Sequence, residues 1–244
     1  MEEKIDKEQL KQFTYRYHFD YISHELKDIE AFIKSTDKFL ADNLQNNKKL
    51  SDEPEHSNPR LHPEVQFGSI FPDILWRTTF LHSYFRLESA LDQVCKNLQQ
   101  TEDYKIELSD VAGNGIFRAS VYLKKVCDIS KPFSDNTWGK LTDYNKLRNI
   151  FVHGEPLVDR KKAVELATRN EGLLIALIDF DKIALRFSKE FNLKALQTID
   201  SFFQLLKKEM QKNISKPEQL RGHRSTADNN KIKRNKKKKG ILAE

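Results

Sequence analysis

Apolar residues recur at helical spacing along most of this chain. Ile22, Leu26, Ile29, Ile33, Leu40 and Leu44 step mostly by three and four, which predicts one long helix over residues 1–45. Between residues 13 and 21 the pattern changes. Phe13, Tyr15, Tyr17, Phe19 and Tyr21 alternate with polar residues in a strand-like period. No turn signal separates the two stretches, so both are read as one helix whose aromatics pack a core. Residues 46–73 hold Pro54, Pro59, Pro63 and Pro72 among Asn, Ser and Asp, and read as a long loop or insertion.

The clearest seam follows over residues 73–100. Phe80, Tyr84, Leu87, Leu91, Val94 and Leu98 alternate steps of four and three, the spacing of a buried helix face. Asp73 is placed to cap its start, and His82 lies beside the seam as a core-edge histidine. Further helices are expected over 116–128, after the turn AGNG, and over 136–153. GLLIALIDFDKIALRF reads as a short β-hairpin turning around Asp179–Asp181. The last helix is expected to start near Asn192 as its cap. It carries Leu193, Leu196, Ile199, Phe202, Phe203, Leu206 and Met210 on one face. These elements define an all-α helical domain over residues 74–213 with a long N-terminal helix and a small hairpin. Residues 214–244 read as a disordered basic tail.

The helix over 136–153 ends in LRNIFVHG, residues 147–154. On a wheel of about 100° per residue, Leu147, Phe151 and Tyr144 share one side with Ile150 on its flank. Asn145, Asn149 and His153 form a stripe on the other side. Arg148 sits at the boundary, and its long side chain can reach round to the stripe. Val152 is an apolar residue on the polar side, which suits a helix whose second face a partner covers. Gly154 and Pro156 stop the helix. The helix dipole at that end favours a cation, which pushes the His153 imidazole toward a higher pKa. By spacing alone, an arginine and a histidine five apart are what a solvated helix end commonly carries.

Composition narrows the classes. The N-terminus MEEKIDKEQLKQ has no apolar segment of the kind a secretory signal needs. The longest apolar run, LLIALI, falls far short of the ~20 residues that span a bilayer, so no membrane association is expected. The two cysteines, Cys95 and Cys127, lie in apolar contexts and read as buried free thiols in a reducing, cytoplasmic compartment. No carboxylate–histidine grouping has metal-ligand spacing, so neither metal nor cofactor is expected. The net charge of +6 belongs to the tail, because residues 217–244 hold nine Lys or Arg against three acids. Within it Lys231, Lys233, Arg234, Lys236, Lys237, Lys238 and Lys239 suit non-specific binding to phosphate backbones. The same run also reads as a solubilising end. GNG at 113–115 lacks the third glycine of a dinucleotide loop and is a turn.

The segment Arg148-Asn149-Ile150-Phe151-Val152-His153 resembles the motif of the HEPN superfamily, helical proteins many of which are RNases. Their pattern is an arginine, four to six residues, then a histidine, often with a polar residue directly after the arginine. SYFRLESALDQVCKNL (83–98) is similar to the family's earlier core helix with a glutamate in its middle. GNGIFRASVYLKKVCDI (113–129), then Trp138, then LRNIFVH, is similar in spacing to prokaryotic members. The resemblance covers roughly residues 74–210. One departure is Glu155, where some toxin members have tyrosine.

The resemblance implies a HEPN-like helical bundle acting as an endoribonuclease, either as a toxin with an antitoxin or as an antiviral defence effector with system partners. Such chemistry suits the residue types. RNA supplies its own nucleophile, the 2′-OH. Histidine transfers protons near neutral pH, and arginine can hold two phosphate oxygens at once. Arg148, His153 and Asn149 are the candidate catalytic residues, with Asn149 orienting ring or phosphate. Asn145 is a supporting residue of the same stripe, and Glu88, at the edge of its seam, is expected to position Arg148. One histidine cannot be acid and base together, so a two-fold homodimer is expected to bring two Arg148/His153 pairs to one cleft. The alternatives are a non-catalytic HEPN module binding RNA or a protein partner, and a helical interaction protein whose polar stripe is merely solvated.

Overall fold

The computed structural model describes residues 7–48, 60, 62–102, 104–152, 157–177 and 183–214. Two compact units divide the chain, Met1–Lys207 and Lys208–Glu244. The order of elements is α1 (Lys7–Lys48), α2 (Pro63–Val65), a wide π-type turn (Gln66–Ile70), α3 (Phe71–Glu102), α4 (Gly115–Lys125), α5 (Asn136–Val152), β1 (Leu157–Val158), α6 (Arg160–Arg169), β2 (Leu173–Leu177), β3 (Ile183–Phe187) and α7 (Lys189–Ile214). The protein is mostly helical, as the periodicity predicts.

The long first helix is real, and its inward face carries Tyr15, Phe19, Ile22, Leu26, Ile33 and Leu40, all buried. It lies along α3, where the Tyr15 hydroxyl meets Thr101 Oγ1 at 2.5 Å, and the Arg86 guanidinium of α3 bonds Glu25. Only part of the aromatic alternation packs a core. Tyr17 and Tyr21 are 64% and 49% exposed and stack on each other at 6.4 Å. They fall one helical turn apart on the outer face, because α-helical period overrides the two-residue pattern of the sequence.

The loop expected over 46–73 is helical in its second half. Residues 63–70 wind directly into α3, which starts at Phe71. Asp73 is therefore inside the first turn and caps nothing. Its carboxylate accepts from Arg77 at 2.9 Å and faces Arg186 of β3 at 3.7 Å. Residues 49–59 lie outside the described residues.

The hairpin is present, with β2 and β3 antiparallel and Leu173 opposite Phe187. Its turn around Asp179–Asp181 lies outside the described residues. Two elements beside it escaped the sequence pattern. β1 adds a third strand in the order β1-β3-β2, and α6 covers the connection. Helix α6 is short and charged, burying only Ala163 and Leu166, which is too few for a visible periodicity. Its start signal is Asp159, whose carboxylate accepts from the Lys162 amide at 3.1 Å.

Helix α7 begins earlier than expected. Ser188 is its cap, with Oγ accepting from the Phe191 amide at 3.1 Å. Asn192 is buried within the first turns, and its Nδ2 donates to the Ser188 carbonyl at 2.9 Å. The cap was misplaced because both residues have capping chemistry, and only burial decides between them.

An aromatic cluster ties the domain together. The Phe80 ring of α3 lies 4.6 Å from Phe187 of β3 and 5.3 Å from Phe191 of α7. Tyr144 of α5 lies 6.0 Å from Phe80. A buried charge adds a second tie. Asp143, 5% exposed, accepts from Arg169 of α6 at 2.7 Å and from Lys146 at 2.9 Å. Both cations are nearly half exposed, so the network is partly screened. Asp143→Ala is expected to cost about 1–2 kcal/mol in urea unfolding, the lower part of the roughly 1.5–3 kcal/mol that hydrogen bonds to charged groups carry, because the half-exposed partners are screened. A variant as stable as wild type would show that solvent replaces the carboxylate.

Candidate functional site

Helix α5 presents two faces, as the wheel requires. Leu141, Tyr144 and Leu147 are buried, and the Phe151 ring packs 4.6 Å from Phe187. These contacts fix the rotation of the helix. On its other flank Asn145 and Arg148 are half-buried, Asn149 is exposed, and Val152 is 49% exposed. Val152 is the last residue of α5, and His153, Gly154, Glu155 and Pro156 lie outside the described residues. So do the tail residues Lys231, Lys233, Arg234, Lys236, Lys237, Lys238 and Lys239.

Two hydrogen bonds organise the flank. Arg148 Nη1 donates to Asn149 Oδ1 at 3.0 Å, so the residue after the arginine holds its guanidinium. The Tyr84 hydroxyl of α3 donates to Asn145 Oδ1 at 2.7 Å. Tyr84 is 2% exposed, and a buried phenol needs such a partner. Burial, and then the Glu88 carboxylate, push its pKa above the ordinary tyrosine range, while the Arg148 guanidinium acts in the opposite sense. Glu88 and Arg148 are thus brought within electrostatic reach of the same hydroxyl. They do not pair directly, since among the described residues the bonded side-chain partner of Arg148 is Asn149.

Glu88 rests instead against the start of α4. A Cβ on Gly115 would collide with Glu88 Oε1, and the φ of +53° at Gly115 suits glycine. Asn114 makes no side-chain capping bond there, and the positive end of the helix dipole faces the carboxylate. The AGNG turn, with Gly113 at φ +107°, therefore makes room for the glutamate.

Sequence reasoning singled out Arg148, Asn149, Asn145 and Glu88 as candidates and counted Tyr84 as one more seam residue. The available signal was its hydroxyl, the polar atom in an otherwise apolar stripe. His82, read as a core-edge residue, is exposed.

Other features lie apart from this flank. A concavity of about 300 Å³ opens between the start of α5, the turn after α6, and α7, lined by Lys140, Asn170, Lys194 and Gln197 among others. Its lysines are already engaged. Lys140 donates to the Arg169 carbonyl, and Lys194 Nζ lies 4.0 Å from Glu171. Cys95 and Cys127 are buried free thiols. Burial, then the nearby Cys127, hold the Cys95 thiol above its ordinary pKa, which disfavours the nucleophilic thiolate form. Among the described residues no three His, Cys, Asp or Glu side chains gather as a metal site, and no helix is long and apolar enough to cross a membrane.

Comparison with the models of known protein families, with curated proteins and with solved structures finds no match.

Proposed function

We propose that this protein is a metal-independent endoribonuclease of HEPN type, cutting RNA through its own 2′-OH and working as a homodimer. The observation that carries the reading is the Arg148–Asn149 pair on a flank of α5 that the core leaves free. The polar residue following the arginine has a physical task, which is to hold the guanidinium in place.

In this reading the RNA 2′-oxygen attacks the adjacent phosphorus. The 2′ proton passes to a His153 imidazole acting as base. Arg148 holds the phosphate oxygens and stabilises the charge that develops on them. The bond from phosphorus to the 5′-oxygen breaks, and a second imidazolium protonates the leaving oxygen. The products are a 2′,3′-cyclic phosphate and a 5′-hydroxyl end. Two imidazoles in opposite protonation states call for two copies of the chain. Exposed Val152 on α5, and Phe85 at 64% exposure next to Tyr84 on α3, supply apolar surface for such pairing. A toxin or defence setting, with an antitoxin or system partner, extends the resemblance and belongs to the same proposal.

The exposed Phe85 and Val152 also favour a second reading, a non-catalytic module that binds RNA or a protein through such apolar surface. RNA incubated in EDTA with wild type and with His153→Ala separates the two. Cleavage by wild type alone supports the nuclease. RNA binding that survives the substitution, with cleavage by neither protein, supports the module. No effect on RNA at all leaves the flank as solvated surface.

A further inference from the structure

The hydrogen bonds around Asn145 determine more than its position. Tyr84 is buried at 2% exposure, and its hydroxyl proton needs an acceptor. Asn145 Oδ1 is that acceptor, at 2.7 Å. An amide whose oxygen is held on one side carries its two N–H donors on the other. Asn149 is arranged in the same way, because its oxygen faces Arg148. Asn145, Arg148 and Asn149 are spaced three and four apart and so are neighbours on one helix flank. Beyond the two bonds named, no protein acceptor among the described residues engages the Asn145 amide N–H pair, the Asn149 amide N–H pair or the rest of the Arg148 fork. Glu88 is the carboxylate that acts on the same hydroxyl. It lies against the first turn of α4, where the helix dipole offsets its charge.

We propose that Tyr84 is the positioning residue of a phosphate-binding fork on α5: by holding the Asn145 carbonyl oxygen it turns the amide N–H pair outward, beside the Arg148 guanidinium, to grip an RNA phosphodiester. This rests on the RNA-directed reading above and adds to it a binding role for Asn145 and an orienting role for Tyr84. The match is chemical. A phosphodiester offers two non-bridging oxygens with a single negative charge. The fork offers one fixed cation flanked by neutral donors, and bidentate geometry of this kind favours phosphate. Asn145 touches the ligand, and Tyr84 acts through it.

An RNA oligonucleotide with 2′-O-methyl riboses tests this, because it lacks the nucleophile and reports binding without cleavage. Its affinity is measured for wild type, Tyr84→Phe, Asn145→Ala, the double variant and Asn145→Asp. Each of the first two substitutions is expected to weaken binding by about three- to tenfold, the scale of one hydrogen bond. The double variant is expected to match Asn145→Ala, since Tyr84 has no effect without the amide it orients. Asn145→Asp keeps the oxygen that Tyr84 holds but replaces the donors with charge, so it is expected to bind more weakly than Asn145→Ala. That variant does not depend on Tyr84→Phe folding well.

Wild type without affinity, Tyr84→Phe with wild-type affinity, or a double variant whose loss is the product of the two single losses would each overturn the proposal. Cleavage of the unmodified RNA keeps the two readings apart. If wild type cuts, Arg148→Ala does not, and Tyr84→Phe binds and cuts like wild type, the fork falls and the nuclease stands.

Discussion

Arg148→Ala is expected to reduce RNA cleavage by about 10²–10³-fold, the scale seen when one donor to a developing oxyanion is removed. The same variant should melt at the wild-type temperature. Its bonded side-chain partner is the neighbouring Asn149, the contact is solvent-exposed, and exposed contacts of this kind stabilise little. Arg148→Lys separates charge from geometry. An ammonium keeps the charge but cannot span two oxygens or sit flat against the Asn149 carbonyl. It is expected to recover only a small part of the activity. Steady-state cleavage together with thermal melting measures both halves of the expectation. An Arg148→Ala protein that unfolds would assign the residue to stability instead.

Gly172→Ala is the substitution expected to damage the fold most. Gly172 sits in the turn between α6 and β2 with φ +80°, where L side chains are strained. A Cβ there would come 2.5 Å from the Phe191 amide nitrogen and 2.7 Å from Ser188 Oγ. These atoms form the capped start of α7, so they cannot give way cheaply. The Gly172 carbonyl also accepts from the Ser188 amide at 3.1 Å, which locks the turn to the helix start. The expected cost is about 2–4 kcal/mol, combining backbone strain with overpacking. Urea denaturation measures it. The effect should reach α5, because Phe191 is 5.7 Å from Tyr144 and helps fix the rotation of that helix. A variant within about 0.5 kcal/mol of wild type, the range of neutral surface changes, would show that the turn can rearrange.

The fold was readable from the sequence wherever a long element had one apolar face. The α3 seam and the inward side of α1 are of this kind, and so is the two-faced end of α5. Elsewhere the sequence lacked the deciding information. Helix α6 buries two small or medium apolar residues and draws its order from Asp143 and Arg169, an ion pair across 26 positions. A wheel cannot register such a contact. The inner side of α5 itself includes the buried Asp143, which blurs the amphipathic pattern.

The placement of the candidate residues was readable to the same extent. Side chains on one helix, such as Arg148, Asn149 and Asn145, could be placed on one flank by counting. Tyr84 and Glu88 reach that flank from α3 only through packing, 61 positions before Asn145 in the case of Tyr84. Glu88 was expected to hold Arg148, and the structure instead sets both around the Tyr84 hydroxyl. The rest of the motif, His153 onward, lies outside the described residues and stands on the sequence.

The central claim is that α5 carries a ribonuclease centre that uses the substrate's own 2′-OH. End-group analysis of RNA cut in EDTA tests it most directly, with wild type, Arg148→Ala and His153→Ala side by side. The account predicts 2′,3′-cyclic phosphate and 5′-hydroxyl ends from wild type, and intact RNA from both variants. Intact RNA with wild type, ends bearing a 5′-phosphate, or undiminished cleavage by either variant would contradict it.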